Sequence, residues 1–234
     1  DDDLCESEST AVTYRRVNNP NFSWNSSVYE ADGIIFTGTP NATEIDTLEW
    51  KLKEWQENGF VSVTNNVFSL MNDSTTSVDF RSLGAGRYQM TFQIYTINSC
   101  TAEITKEFLV LPKVATASQY AFDFEKGNSE WISYSPTGPA NDWDLAVPTE
   151  NSNIKSGNTV WITNKDGSYN SGALSYVYSP SFDLSSVSKP VISFDLWLDM
   201  VEEDDGLILE YSTDNKVIED PTKKWQLLGD FEGN

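Results

Sequence analysis

The chain contains no histidine and only two cysteines, Cys5 and Cys100, which removes most side-chain chemistry before any spacing is considered. Without an imidazole there is no Ser-His-Asp or Cys-His pair and no imidazole zinc site. What remains is oxygen chemistry. The densest carboxylate set is Asp199, Glu202, Glu203, Asp204 and Asp205, closed by Gly206. Like charges packed this closely repel, and a hard divalent cation relieves the repulsion through oxygen ligands, which suits Ca2+. The set lacks EF-hand spacing, and a solvated acidic loop is the plainer reading. A glycosidase-type carboxylate pair could be nominated almost anywhere among 36 acidic residues. No catalytic residue is therefore assigned, and the chain is read as a non-enzyme.

Exposed aromatic rings are a second kind of chemistry, because sugar C–H faces stack on them while amides and carboxylates bind the hydroxyls. Trp143 stands between Asp142 and Asp144, Trp131 and Tyr134 share one loop, and Tyr169 sits in an Asp-Gly-Ser-Tyr-Asn turn. Most tryptophans of a β-sandwich fill its core, so each ring has a structural reading beside the ligand-binding one. Cys5 and Cys100 lie almost a domain apart, and a bridge between them would remove much loop entropy from the unfolded chain. A disulfide is expected, and with it an oxidising compartment. Four N-x-S/T sequons, at Asn21, Asn25, Asn41 and Asn72, all fall in the first half of the chain.

These groups need a scaffold, and composition limits what it can be. Hydrophobic residues make up 38% of 234 residues and eight are Trp, enough for two compact cores separated by polar turns. Acidic residues outnumber basic ones 36 to 15, a formal net charge of -21. That charge repels phosphate backbones and anionic lipid, so neither nucleic acid nor a membrane surface is expected as a partner. No apolar run reaches the roughly 20 residues of a membrane span. Asp1-Asp2-Asp3 has neither a basic segment nor an apolar signal core, so a mature or excised N-terminus is expected.

The elements read as strands throughout. In a first unit, residues 1–113, short apolar runs at Asn21–Trp24, Gly33–Phe36, Leu48–Leu52, Phe60–Val63 and Val67–Leu70 alternate with turn residues. Gly86–Thr96 alternates apolar and polar residues over its whole length and returns through Ala102–Val110. That pair looks like the last hairpin of an immunoglobulin-like domain. More narrowly, the arrangement resembles bacterial polycystic-kidney-disease (PKD) domains, which often carry one Cys before the first strand and another in the turn between the final strands. Cys5, Cys100 and Gly86-Arg87-Tyr88 stand at matching places. Trp50-Lys51-Leu52-Lys53-Glu54-Trp55 departs from the family's W-x-F-G-D-G box, so the expectation is the broader immunoglobulin-like sandwich.

A short linker, 114–120, leads to a second unit, 121–234, and helix content is expected to be small. Here Ala121–Phe124, Asp142–Leu145, Trp161–Asn164, Ala173–Ser179, Val191–Trp197, Gly206–Tyr211 and Trp225–Leu228 read as strands. The W-x-T-N box, the Asp166–Asn170 turn, YSPSFDLS, the Pro190–Asp195 strand and DGLILEYSTD together resemble MAM-like jelly-roll modules. Such modules recur in large surface proteins that gliding bacteria export through the type IX system.

That resemblance implies a secreted cell-surface adhesin acting through spacer and contact domains, with surface polysaccharide or another extracellular ligand, export proteins and outer-membrane assembly proteins as partners. It also implies a structural Ca2+ near the module's first strand, at positions matching Asp123, Glu125 and Asp205, and O-glycosylation at Thr47 and Ser74, which lie in D-S/T-x sequences. Because related modules run on past the last strand here, a fragment of something larger is expected. A carbohydrate-binding accessory region of a secreted hydrolase or peptidase is the alternative. A eukaryotic receptor ectodomain fits less well, since the second unit has no cysteine of its own.

Overall fold

The computed structural model describes residues 19–29, 33–56, 59–64, 67–115, 120–126, 130–135, 141–148, 157–200, 205–214 and 225–229. The protein is all-β, with no helix among the described residues. Among the described residues no helix is long and apolar enough to cross a membrane.

Nine strands build the first unit: β1 (Asn21–Trp24), β2 (Val28–Tyr29), β3 (Ile34–Thr39), β4 (Ile45–Gln56), β5 (Gly59–Ser62), β6 (Phe68–Asn72), β7 (Thr75–Val78), β8 (Gly86–Thr96) and β9 (Thr101–Ala115). One sheet runs β1-β3-β7-β6, the other β9-β8-β4-β5, and β2 lies parallel to β9. Alternation along β8 puts Tyr88, Met90, Phe92 and Ile94 inward, all with no exposure, and they meet Phe22, Trp24, Ile34, Phe36 and Val78 from the facing sheet. Rings cross the gap edge to face, Phe22 on Trp50 at 5.5 Å and Phe36 on Phe108 at 5.3 Å. Two sheets closed over one apolar layer make a β-sandwich. At Gly38 the absence of a side chain decides the packing, since a Cβ would lie 2.5 Å from the Phe92 ring.

The outward residues of the β9-β8-β4 sheet pair with one another across strands. Lys51 reaches Gln93 at 2.6 Å, Tyr95 donates to Glu49 at 3.0 Å, and Thr91 meets Thr105 at 2.7 Å. Tyr88 begins the inward series and sends its hydroxyl back to the Gly84 carbonyl at 2.9 Å.

The second unit is built from shorter pieces: β10 (Ile132–Tyr134), β11 (Trp143–Ala146), β12 (Val160–Thr163), β13 (Tyr176–Tyr178), β14 (Ser181–Asp183), β15 (Glu210–Tyr211) and β16 (Gln226–Leu227). Strands β10 and β13, β11 and β12, and β15 and β16 form three antiparallel pairs, while β14 joins the sandwich by running parallel to Lys113–Ala115 of β9. The expected linker thus begins inside a strand, and 116–119 lie outside the described residues. Ala121–Phe124 has no strand partner among the described residues. It is held by rings instead, with Phe122 on Phe124 at 5.2 Å and Phe124 on Trp131 at 5.5 Å.

The larger departure is at Val191–Trp197. The whole stretch 191–200 belongs to no described sheet and every residue of it is exposed. Alternation alone does not make a strand; a neighbour must supply the other half of each hydrogen bond. Gly206–Tyr211 is likewise shorter than expected, paired only at Glu210 and Tyr211.

Candidate functional site

Two places gather side chains with chemistry: the seam between the units, and the loops of the second unit where the expected ligand residues lie. The seam starts on β9. Phe108 and Val110 face the sandwich core, whereas Leu109 and Leu111 face the other way, 1% and 7% exposed, against Tyr178 with Ile132, Tyr134, Tyr176 and Trp225 around them. Beside this cluster the Arg87 guanidinium lies 4.5 Å from the Trp55 ring, 5.2 Å from Phe60 and 4.9 Å from Tyr134. Trp55 and Phe60 are cross-strand partners of β4 and β5, and Tyr134 comes from β10, so one cation is shared by rings of both units. Glu107 fixes the guanidinium from the side, accepting from Nε at 3.0 Å and a terminal nitrogen at 2.6 Å.

Burial at the seam acts on its phenols. It pushes the Tyr178 hydroxyl far above its ordinary value, with Tyr176, Tyr134 and Glu210 adding to the rise. Tyr134 is raised chiefly by burial and then by Glu107, with Arg87 opposing. These hydroxyls stay protonated under any physiological condition and contribute as neutral donors and packing surface.

In the second unit, Asp142 is 5% exposed and serves as a brace. Its carboxylate accepts from the Asn170 backbone at 3.1 Å and from the Asn170 side-chain amide, its carbonyl accepts from Asn164 N at 2.7 Å, and its own N–H donates to Ser175 Oγ. Trp143 is half-buried, with its indole N–H donating to the Ser175 carbonyl at 3.3 Å. Asp144 pairs with Ile162 across the β11–β12 hairpin. Tyr169 is half-buried and donates to Asp205 at 2.5 Å. Trp131 is half-buried against Phe124; near it, burial pushes the Tyr120 phenol up while the Trp131 indole opposes the rise. The fold brings Asp142 and Trp143 together with Ser175 between them and places Trp131 in a separate aromatic row.

The expected calcium ligands are engaged with protein donors. One Glu125 oxygen accepts from Asn158 N at 2.6 Å and Thr159 N at 2.8 Å, and these amides hold its carboxyl below the usual carboxylate range. Asp123 accepts from Glu125 N at 3.2 Å. Among the described residues no three acidic, Cys or His side chains are grouped closely enough to hold an ion, and Glu202, Glu203 and Asp204 lie outside the described residues. As placed, the three carboxylates accept hydrogen bonds from Asn158 and Thr159, from Glu125 N and from Tyr169.

Thr47 is exposed beside Asp46, within 3.2 Å of its carboxylate, and Ser74 is half-buried at the β6–β7 turn, its amide donating to Asn72 at 3.0 Å. The Cys100 Sγ lies 3.9 Å from the Asn98 carbonyl oxygen, and Cys5, its expected disulfide partner, lies outside the described residues.

Sequence reasoning missed the seam. A signal was present in Phe108-Leu109-Val110-Leu111, where the alternation of β9 gives way to an unbroken apolar run, the mark of a strand covered on both faces. Searches against protein-family models, curated proteins and solved structures returned no match for this chain.

Proposed function

We propose that this chain is the spacer and contact region of a large secreted cell-surface adhesin, with an immunoglobulin-like first unit followed by a MAM-like second unit. The observation that carries the reading is the continuity of β9, which closes the first sandwich and then receives β14 of the second unit on the same sheet. A spacer must transmit position and load between its ends. Strand pairing together with the Arg87 stack does so without relying on a flexible tether. The pairing order β1-β3-β7-β6 against β5-β4-β8-β9, β2 alongside β9 and the Tyr88–Gly84 bond all support the immunoglobulin-like assignment.

On this reading the protein works at a bacterial surface after type IX export, through many weak contacts in parallel with surface polysaccharide, so strength comes from multivalency. Secretion also calls for Cys100 to be joined to Cys5, and peptide mapping without reductant is expected to recover that cross-link. The deciding experiment is adhesion of beads carrying the chain at low and high density to polysaccharide-coated surfaces. Capture at high density alone is expected. Absence of capture at every density would remove the adhesive role, whereas tight binding of the soluble chain to one glycan, lost in Trp143→Ala, would favour an accessory domain of a secreted hydrolase.

A further inference from the structure

Strand β9 sets the direction in which tension crosses this chain. It runs from Thr101 to Ala115, about 45–50 Å at the rise of a strand. Its start lies at the same end of the sandwich as Asn19: the Asn41 side-chain amide donates to the Asn19 carbonyl at 3.1 Å, and Glu44, at the entry to β4, accepts at 3.0 Å from Ile97 N in the β8–β9 turn. At the far end, β2 opposite Leu111–Pro112 and β14 opposite Lys113–Ala115 take consecutive places along β9, both parallel to it. A pull between Asn19 and Asp183 therefore acts along the β9 axis.

The direction of pull decides how a strand pair yields. Inter-strand hydrogen bonds run across the strands, so sliding one strand along another strains all of them together, whereas drawing adjacent ends apart opens them one at a time. Strands β15 and β16 are antiparallel with Leu227 opposite Glu210, so a pull beyond Leu227 acts against the residues entering β15 and opens the pair from that end. Residues 184–200 belong to no described sheet and add no such resistance. For β14 the geometry is the other one. Pulled from Asp183 toward the C-terminus it slides along β9, with Ser181, Phe182 and Asp183 strained together, the Lys113 ammonium 3.7 Å from the Asp183 carboxylate, and Tyr178 seated on Leu109 and Leu111 just before it.

We propose that β14 is a mechanical stop. Under tension residues 184–234 draw out first, extension halts at β14, and force then passes from β14 straight into β9. The intervening chain, 116–180, carries none of it. That shielded stretch holds Trp131, Asp142, Trp143, Asp144 and Tyr169. On the adhesin reading, on which the purpose of the stop rests, the expected contact residues keep their arrangement while the chain is stretched. The order of yielding follows from the strand directions alone.

The test is single-molecule extension of the whole chain, held by handles at its two ends. Two events are expected before the sandwich opens: an early one that lengthens the chain by up to ~180 Å as 184–234 draw out, and a second at higher force that adds ~240 Å as 116–183 follow, at about 3.5 Å per residue. Phe182→Pro removes a backbone donor in the middle of β14 and is expected to merge the two into one low-force event. Lys113→Cys combined with Ser181→Cys places thiols in register on neighbouring strands about 4.8 Å apart, within disulfide reach. Oxidised, that pair is expected to abolish the second event and leave the first unchanged. Release of 116–234 in one event from the unaltered chain overturns the proposal, as does a second event that survives the oxidised pair or a trace unmoved by Phe182→Pro. Loss of bead adhesion with both events intact would remove the adhesive reading and leave the stop standing.

Discussion

The two units have similar strand-forming sequence and reach different degrees of closure. In the first, eleven-residue β8 lies between β4 and fifteen-residue β9, and the facing sheet covers their inward side chains almost completely. In the second, strands of two to four residues pair in twos or, for β14, with β9, and among the described residues the buried hydrophobic side chain it contributes is Tyr178, packed on Leu109 and Leu111 of β9. Local alternation is present in both, at 86–96 and at 191–197. The difference is the partner: β8 lies between β4 and β9, whereas 191–197 lies next to no described strand. A pleated apolar face becomes a core only where a second face arrives to meet it.

The sharpest way to test this contrast is to damage each core separately. Phe92→Ala removes a ring stacked 4.4 Å from Trp50 in a fully buried site, and a loss of about 3–5 kcal/mol is expected by denaturant titration. Gly38→Val attacks the same contact from the other sheet by pushing a side chain into the Phe92 ring, with an expected cost of about 1–3 kcal/mol. Tyr178→Ala is expected to cost less than Phe92→Ala and to release the second unit while leaving the sandwich transition nearly unchanged. One shared transition for all three variants would show that the units fold as a single cooperative body.

Next in size is the seam. Arg87→Ala removes a cation from three rings and a charge-assisted pair with Glu107, and about 1–2 kcal/mol is expected for a partly exposed stack. The more telling readout is geometry, since small-angle scattering should report a looser pair of units. Arg87→Lys keeps the charge but not the planar fork, and is expected to fall between wild type and Arg87→Ala. If scattering is unchanged in both variants, β9 and β14 alone hold the units together.

How much of this was legible in the sequence depends on whether the signal was local. The β8 alternation, the β8–β9 return and the all-β class were readable because period-two patterning needs only the strand itself. The seam needed two distant segments, Arg87 with Trp55 from the sandwich and Tyr134 from the second unit, and nothing in the spacing of those three residues announces that they meet. Asp142 shows the same limit. In sequence it stands beside Trp143, whereas its hydrogen-bond partners are Asn164, Asn170 and Ser175, which no local pattern announces.

The smallest expected effects are electrostatic and compare one carboxylate from each unit. Asp79, at the loop before β8, is held at about 2 against an ordinary 3.8, first by the Arg81 side chain and then by the Arg81 amide. Glu125 is held below its ordinary value by the Thr159 and Asn158 amides. Both folded values are depressed, so each contribution is complete above the ordinary carboxylate range and is lost as pH falls through the folded value. For Asp79 that window runs from about 4 down to about 2, and the difference in melting temperature between wild type and Asp79→Asn should close across it. Both groups lie at the surface, where screening keeps such contributions small. The units should nevertheless respond differently. Asp79 is anchored beside fully buried Phe80, so its protonation is absorbed by the core, whereas Glu125 spans from 125 to the loop at 158–159 with little packing behind it. Hydrogen exchange should therefore show the Asn158 and Thr159 amides losing protection on acidification before any β8 amide does. Glu125→Gln should reproduce that loss at neutral pH. Simultaneous loss at both places would mean that the second unit is as tightly closed as the first.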